Sequence, residues 1–162
     1  MKIRTIGVAA VLALALTSCG NDDQAAADAV AAGVMEGNDD TFQVTQEQAD
    51  CLGEGMVDEI GTDQLIEYKI ITKDLEQSDG IDSVKMSQSD AEAAAGVMQD
   101  CADIKKIFTD QLGDSVPEEA AACIDENLSD EVLNEFLVAV FMDDQEAGTQ
   151  SLMGALQECL SA

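Results

Sequence analysis

Gly96-Val97-Met98-Gln99-Asp100-Cys101 and Gly154-Ala155-Leu156-Gln157-Glu158-Cys159 are one pattern written twice: glycine, two apolar residues, glutamine, an acid, cysteine. Two more pairs stand upstream in the same order. Cys51-Leu52 corresponds to Cys123-Ile124, and Thr62-Asp63-Gln64-Leu65-Ile66 corresponds to Ser129-Asp130-Glu131-Val132-Leu133. Three matched blocks in one order are the mark of an internal duplication. Each copy reads as three helices: one carrying the first cysteine, one opened by a Thr or Ser cap, and one ending near the second cysteine. The expected fold is therefore all-α, a compact domain of six or seven helices built from two related three-helix units.

Local signals agree. Thr45-Gln46-Glu47-Gln48, Ser89-Asp90-Ala91-Glu92 and Ser115-Val116-Pro117-Glu118 have capping-box spacing, in which a hydroxyl accepts from an orphan amide and the third residue reaches back. Pro117, the only proline, fits a first helical turn. Ile104, Ile107, Phe108 and Leu112 fall at helical spacing and predict a helix bridging the units. The segment from Thr72 to Gln88, rich in Asp, Ser and Gly, reads as a surface loop. Phe136 to Met142 is the most apolar stretch after residue 18; a helix apolar all round is expected at the centre of the domain, and one exposed side would mark a partner or ligand groove.

Four of the five cysteines belong to the duplicated region, and they allow three pairings. A bridge inherited from one ancestral unit must lie within each copy, which predicts Cys51–Cys101 and Cys123–Cys159. Loops of that length contribute about 4 kcal/mol each in the chain-entropy treatment. Metal binding and redox work are poor readings, because no Cys-x-x-Cys pair exists and the chain has no histidine.

The fifth cysteine closes a different pattern. Lys2 and Arg4 precede an apolar run from Ile6 to Leu16, and Leu16-Thr17-Ser18-Cys19 follows. A charged head, a short apolar stretch and small residues before a cysteine are the layout of a secretory signal. The tetrapeptide resembles the lipobox of bacterial lipoprotein precursors. That resemblance implies a signal peptide over residues 1–18, a diacylglyceryl thioether on Cys19, and a protein held on the extracytoplasmic face of the cell membrane. Two acyl chains suffice for stable anchoring. Residues 19–44, Ala-rich with little bulky apolar content, read as a flexible acidic tether, followed by unit 1 with its bridging helix over 45–112 and unit 2 over 113–162. The duplicated, cysteine-bounded, acidic design is similar to secreted proteins of high-GC Gram-positive bacteria, a likeness that implies no activity.

Charge and composition narrow the function classes. Seven basic residues face 34 acidic ones, a net charge of −27. Lys2 and Arg4 lie in the signal segment, which leaves five basic residues and a net charge of −29 after cleavage. Such a polyanion is repelled by nucleic-acid phosphates and anionic headgroups, so nucleic acid is excluded as a partner. Without histidine there is no Ser-His-Asp, Cys-His or His-Glu zinc constellation. No serine has a lysine three residues on, and Gly53-Glu54-Gly55 lacks the rest of a phosphate loop. Carboxylate pairs suited to glycoside hydrolysis lack an aromatic platform, with no Trp and only Tyr68.

Calcium needs only oxygen ligands, and Asp74 to Asp82 and Asp143-Asp144-Gln145-Glu146 are the loops to weigh. Neither fits the twelve-residue calcium-loop pattern, since Met86 or Gly154 falls where the bidentate Glu belongs. No catalytic residue, metal ligand or cofactor is assigned. The expectation is a non-enzymatic, membrane-anchored module whose partner is the membrane through Cys19 and another envelope protein. The alternative is a binding protein for calcium or a small apolar ligand.

Overall fold

The computed structural model describes residues 19–37, 43–78, 84–112 and 117–160. The signal segment 1–18, with Leu16, Thr17 and Ser18 of the lipobox, lies outside them, as do Ser115 and Val116 of one expected cap and the middle of the 72–88 segment. Eight helices make up the described chain: α1 Cys19–Glu36, α2 Gln46–Ile60, α3 Thr62–Glu67, α4 Gln88–Cys101, α5 Ile104–Leu112, α6 Glu118–Asn127, α7 Asp130–Phe141 and α8 Gln145–Leu160. No strand occurs among the described residues, only an isolated bridge between Ile71 and Gln77.

The all-α expectation holds, and so does the three-plus-three order of α2–α3–α4 and α6–α7–α8, with α5 as the bridge. Disulfides link Cys51 to Cys101 and Cys123 to Cys159, with Cα–Cα separations of 5.6 and 5.5 Å. Each ties the first helix of its unit to the last. The matched block at Thr62 and Ser129 is out by one residue. Gly61, with φ at +90°, is the N-cap of α3, and Ser129 is the N-cap of α7. Leu65 N–H donates to the Gly61 carbonyl as Leu133 N–H does to that of Ser129. The buried leucines, Leu65 and Leu133, therefore correspond.

The eighth helix is α1, which corrects the tether reading over residues 19–36; residues 38–42 of that segment lie outside the described ones. Ala26, Ala27, Ala29, Val30 and Ala31 are buried. Bulk was the wrong measure. Alanine is the best helix former, and a face of small residues lets two backbones approach. A Cβ on Gly53 of α2 would sit 2.2 Å from the Ala27 carbonyl oxygen, inside contact distance. The exposed polar side chains fasten both ends of α1: Thr62 Oγ1 donates to Asp23 Oδ1 at 2.9 Å, and the Gln77 amide donates to Glu36.

Three groups of buried residues form the core. The largest joins α1, α2, α3 and α4 with Ile71 and Met86. A second joins the end of α4 to α5 and α7 through Ala95, Ile104, Leu128, Leu133 and Leu137. The smallest, Ile124, Leu156 and Cys159, lies beside the second disulfide between α6 and α8. Lys105 pairs with Asp125 at 3.4 Å and ties α5 to α6.

Caps match the sequence in part. Thr45 closes a full capping box with Gln48. The cap of α4 is Ser87 rather than Ser89, and Pro117 is itself the N-cap residue of α6. The segment after α3 is more than a surface loop. Thr72 N–H donates to the Glu76 carbonyl at 2.8 Å, Ile71 and Met86 are buried, and Met86 N–H donates to the Phe141 carbonyl at 2.8 Å, joining unit 1 to the end of α7.

The glycines separate two roles. Ala at Gly53 forces α1 off α2, and Gly53→Ala should lower unfolding free energy in urea by about 2 kcal/mol. Gly96 and Gly154, equivalent in the repeat, meet nothing within 4 Å. Gly96→Ala and Gly154→Ala should each raise stability by about 0.5–1 kcal/mol. An unchanged urea midpoint for Gly53→Ala would contradict the packing of α1.

Candidate functional site

The apolar stretch of α7 does not lie wholly in the centre. Leu137 and Ala139 are buried, whereas Val140 is 47% exposed. The helical period separates the two roles. Leu133 and Leu137, four apart, face the second core group, and Phe136, Val140 and Phe141 turn toward a cavity of about 950 Å³ between the two units. That size is at the upper end of small-molecule sites.

It is half-open to solvent, and several elements line it: Val30, Gly33 and Val34 from the last turns of α1; Leu52 and Met56 of α2 with Met98 of α4; Ile70, Val84 and Met86 from the segment between α3 and α4; and Phe136, Val140 and Phe141 of α7 with Gly148 and Thr149 of α8. Gly148 is buried, and a Cβ there would meet the Ala139 Cβ at 3.3 Å, so its small size sets how closely α8 approaches α7. The methionines that read as plain core filling are the adaptable part of this lining.

The lining also includes polar side chains: Glu36 at the close of α1, Gln77 and Ser78, Asp143 in the α7–α8 turn, and Gln145. The turn is shaped by Asp143, whose φ of +58° ends α7, while Asp144 N–H donates back to the Ala139 carbonyl at 2.8 Å. Asp144 then caps α8, its Oδ1 accepting from Ala147 N–H at 3.0 Å. Asp144, weighed above as a calcium ligand, thus has a structural partner. Among the described residues no three Asp, Glu or Cys side chains are grouped to hold a metal ion. A smaller hollow of about 450 Å³ beside Cys101, lined by Asp100, Asp103, Lys105 and Asp130, is polar and shallow in apolar content.

A network behind the cavity positions the Val84–Met86 wall. Tyr68 Oη donates to Asp90 Oδ2 at 2.5 Å and accepts from Ser87 N–H at 3.1 Å, while Ser87 Oγ donates to the same carboxylate at 2.9 Å. The single tyrosine thus pins the start of α4 to the end of α3. The sequence placed this cap two residues late, and the signal missed was Ser87-x-x-Asp90, itself a capping spacing. Cys19, the expected lipid site, is the first residue of α1.

Hydrogen bonding to Tyr68, and next to Ser87, holds the Asp90 carboxyl below the ordinary carboxylate range, against a small opposing effect of burial. A lowered carboxylate pKa stabilises the fold above the ordinary value of about 3.9, and that stabilisation fades as pH falls through the lowered value. Tyr68→Phe should raise the Asp90 pKa, read from its carboxylate carbon shift. It should also reduce the urea midpoint at pH 7 by more than at pH 2. An unaltered Asp90 titration would contradict the network.

Among the described residues no helix is long and apolar enough to cross a membrane. No family model, no curated protein and no solved structure matches this chain, so the residues and their geometry carry the functional reading.

Proposed function

We propose that this chain is a lipid-anchored, extracytoplasmic protein that binds a small apolar ligand between its two helical units, without catalysing a reaction. The observation that carries the reading is the apolar cavity of about 950 Å³. Of the two alternatives to a surface module, calcium and an apolar ligand, the second has a chamber of suitable size and lining. Its wall includes Val140, an exposed large apolar side chain, which a ligand would cover.

The lipobox supplies the location. Because α1 begins at Cys19, an acylated Cys19 leaves no spacer before the folded domain. The cavity takes the last turns of α1, from Val30 onward, and at 1.5 Å per residue it stands about 15–25 Å along the helix from the anchor. A net charge of −29 offers no attraction to anionic headgroups, so attachment falls to the lipid.

Two measurements test this. In a bacterial host, an alkynyl fatty acid should label the wild-type chain and leave Cys19→Ala unlabelled. Titration calorimetry of the purified full chain should detect 1-decanol, with binding weakened about tenfold or more in Val140→Trp, whose indole would take up apolar lining space beside Phe136 and Phe141. Decanol heats that are absent, or equal in both proteins, would overturn the ligand reading.

A further inference from the structure

We infer that the Cys51–Cys101 disulfide is a redox-sensitive clasp on the ligand cavity: a dithiol opens it selectively, and opening releases the ligand. The inference rests on the ligand reading above and adds its regulation. The two bridges differ in place. Cys51 precedes Leu52, Cys101 lies one helical turn beyond Met98, and both of those neighbours line the cavity. Among the described residues, neither Cys123, Cys159 nor any residue adjoining them lines it.

The bridges differ in access as well. Cys51 is exposed, and a second hollow opens beside Cys101. Cys159 is only 3% exposed, and the Asn127 amide nitrogen lies 3.5 Å from the sulfurs of both Cys123 and Cys159. Exchange requires a thiolate to reach a disulfide sulfur, so exposed bridges are the labile ones. In the exchange, the first thiol of the dithiol loses its proton and attacks Cys51 Sγ. The bond to Cys101 breaks, and Cys101 leaves as a thiolate that takes up a proton. The second thiol then gives up its proton and displaces Cys51 from the mixed disulfide. The protein bridge gains two electrons and two protons, and the dithiol is oxidised to its own disulfide.

Opening loosens the cavity without dismantling the domain. The end of α4 is fastened to α7 by the Gln99 amide, which donates to the Asp130 carbonyl at 2.9 Å, and by Ala95 and Ala102 in the second core group. Leu52 and Met56 belong with α1 in the first group. The bridge is thus a covalent link across the lining between Leu52 and Met98. One turn further along α2, a Cβ on Gly55 would stand 2.6 Å from Val97 Cγ1, and this close contact keeps α2 on α4 once the bridge is open.

The native full chain in dithiothreitol, sampled by acid quench, alkylation and peptide mass spectrometry, should open Cys51–Cys101 about tenfold faster than Cys123–Cys159. Calorimetry of the singly reduced protein should show 1-decanol binding about tenfold weaker. Binding should return when oxidised dithiothreitol re-forms the bridge, with the helical circular dichroism signal kept throughout. Cys51→Ser/Cys101→Ser should bind decanol as weakly as the reduced protein, and Cys123→Ser/Cys159→Ser as tightly as the oxidised one. Equal opening rates, or loss of the helical signal on opening, would overturn the switch. Unchanged decanol affinity in the reduced protein would also overturn it and leave the ligand reading standing. Absence of decanol binding by the oxidised chain would overturn the ligand reading, and the switch with it.

Discussion

The fold depends on how closely α1 lies against α2. The Ala27 carbonyl occupies the space a side chain at residue 53 would need, so the contact exists only because residue 53 is glycine. Many alanines with few bulky groups make a poor core when counted by area, yet dispersion grows when backbones approach, and interiors are close-packed. The alanines of α1 exploit that geometry. Once α1 is seated, its last turns become a wall of the cavity and its first residue joins any lipid on Cys19 directly to a rigid body.

The cavity follows from the same shortage of bulk. Five aromatic residues serve the whole chain, and two of them, Phe136 and Phe141, are spent along the cavity rather than in the middle of the core. Unit 1 and α1 share one large buried group, while α6 and α8 meet over a small one beside their disulfide. The units join through α4, α5 and α7, with the Met86–Phe141 backbone bond across the edge of the gap. Between these fastenings the space is left open and apolar.

Much of this was legible in the residues. The duplicated blocks led to both disulfides, because a covalent bridge within each unit is a strong topological constraint. Thr45 and Ser129 declared their helices, since a hydroxyl before an apolar period satisfies orphan amides. What stayed hidden depends on tertiary contact. The burial of α1 needs Gly53 on another helix, and no local pattern in 19–44 announces it. The start of α4 at Ser87 was masked by Ser89 two residues on, and it was decided by Tyr68, nineteen residues earlier. The cavity was visible only as a conditional: an exposed side on the Phe136–Met142 helix. Val140 meets that condition.

Native-state amide hydrogen exchange of the full chain tests the seating of α1 most directly. Slow exchange marks hydrogen bonds that open only with the core. The amides from Val30 to Val34 should exchange as slowly as those of Leu52 to Val57, both sets losing protection together as urea is added. Exchange of Val30 to Val34 near unstructured-chain rates, beside a protected α2, would mean a free tether and would contradict the account.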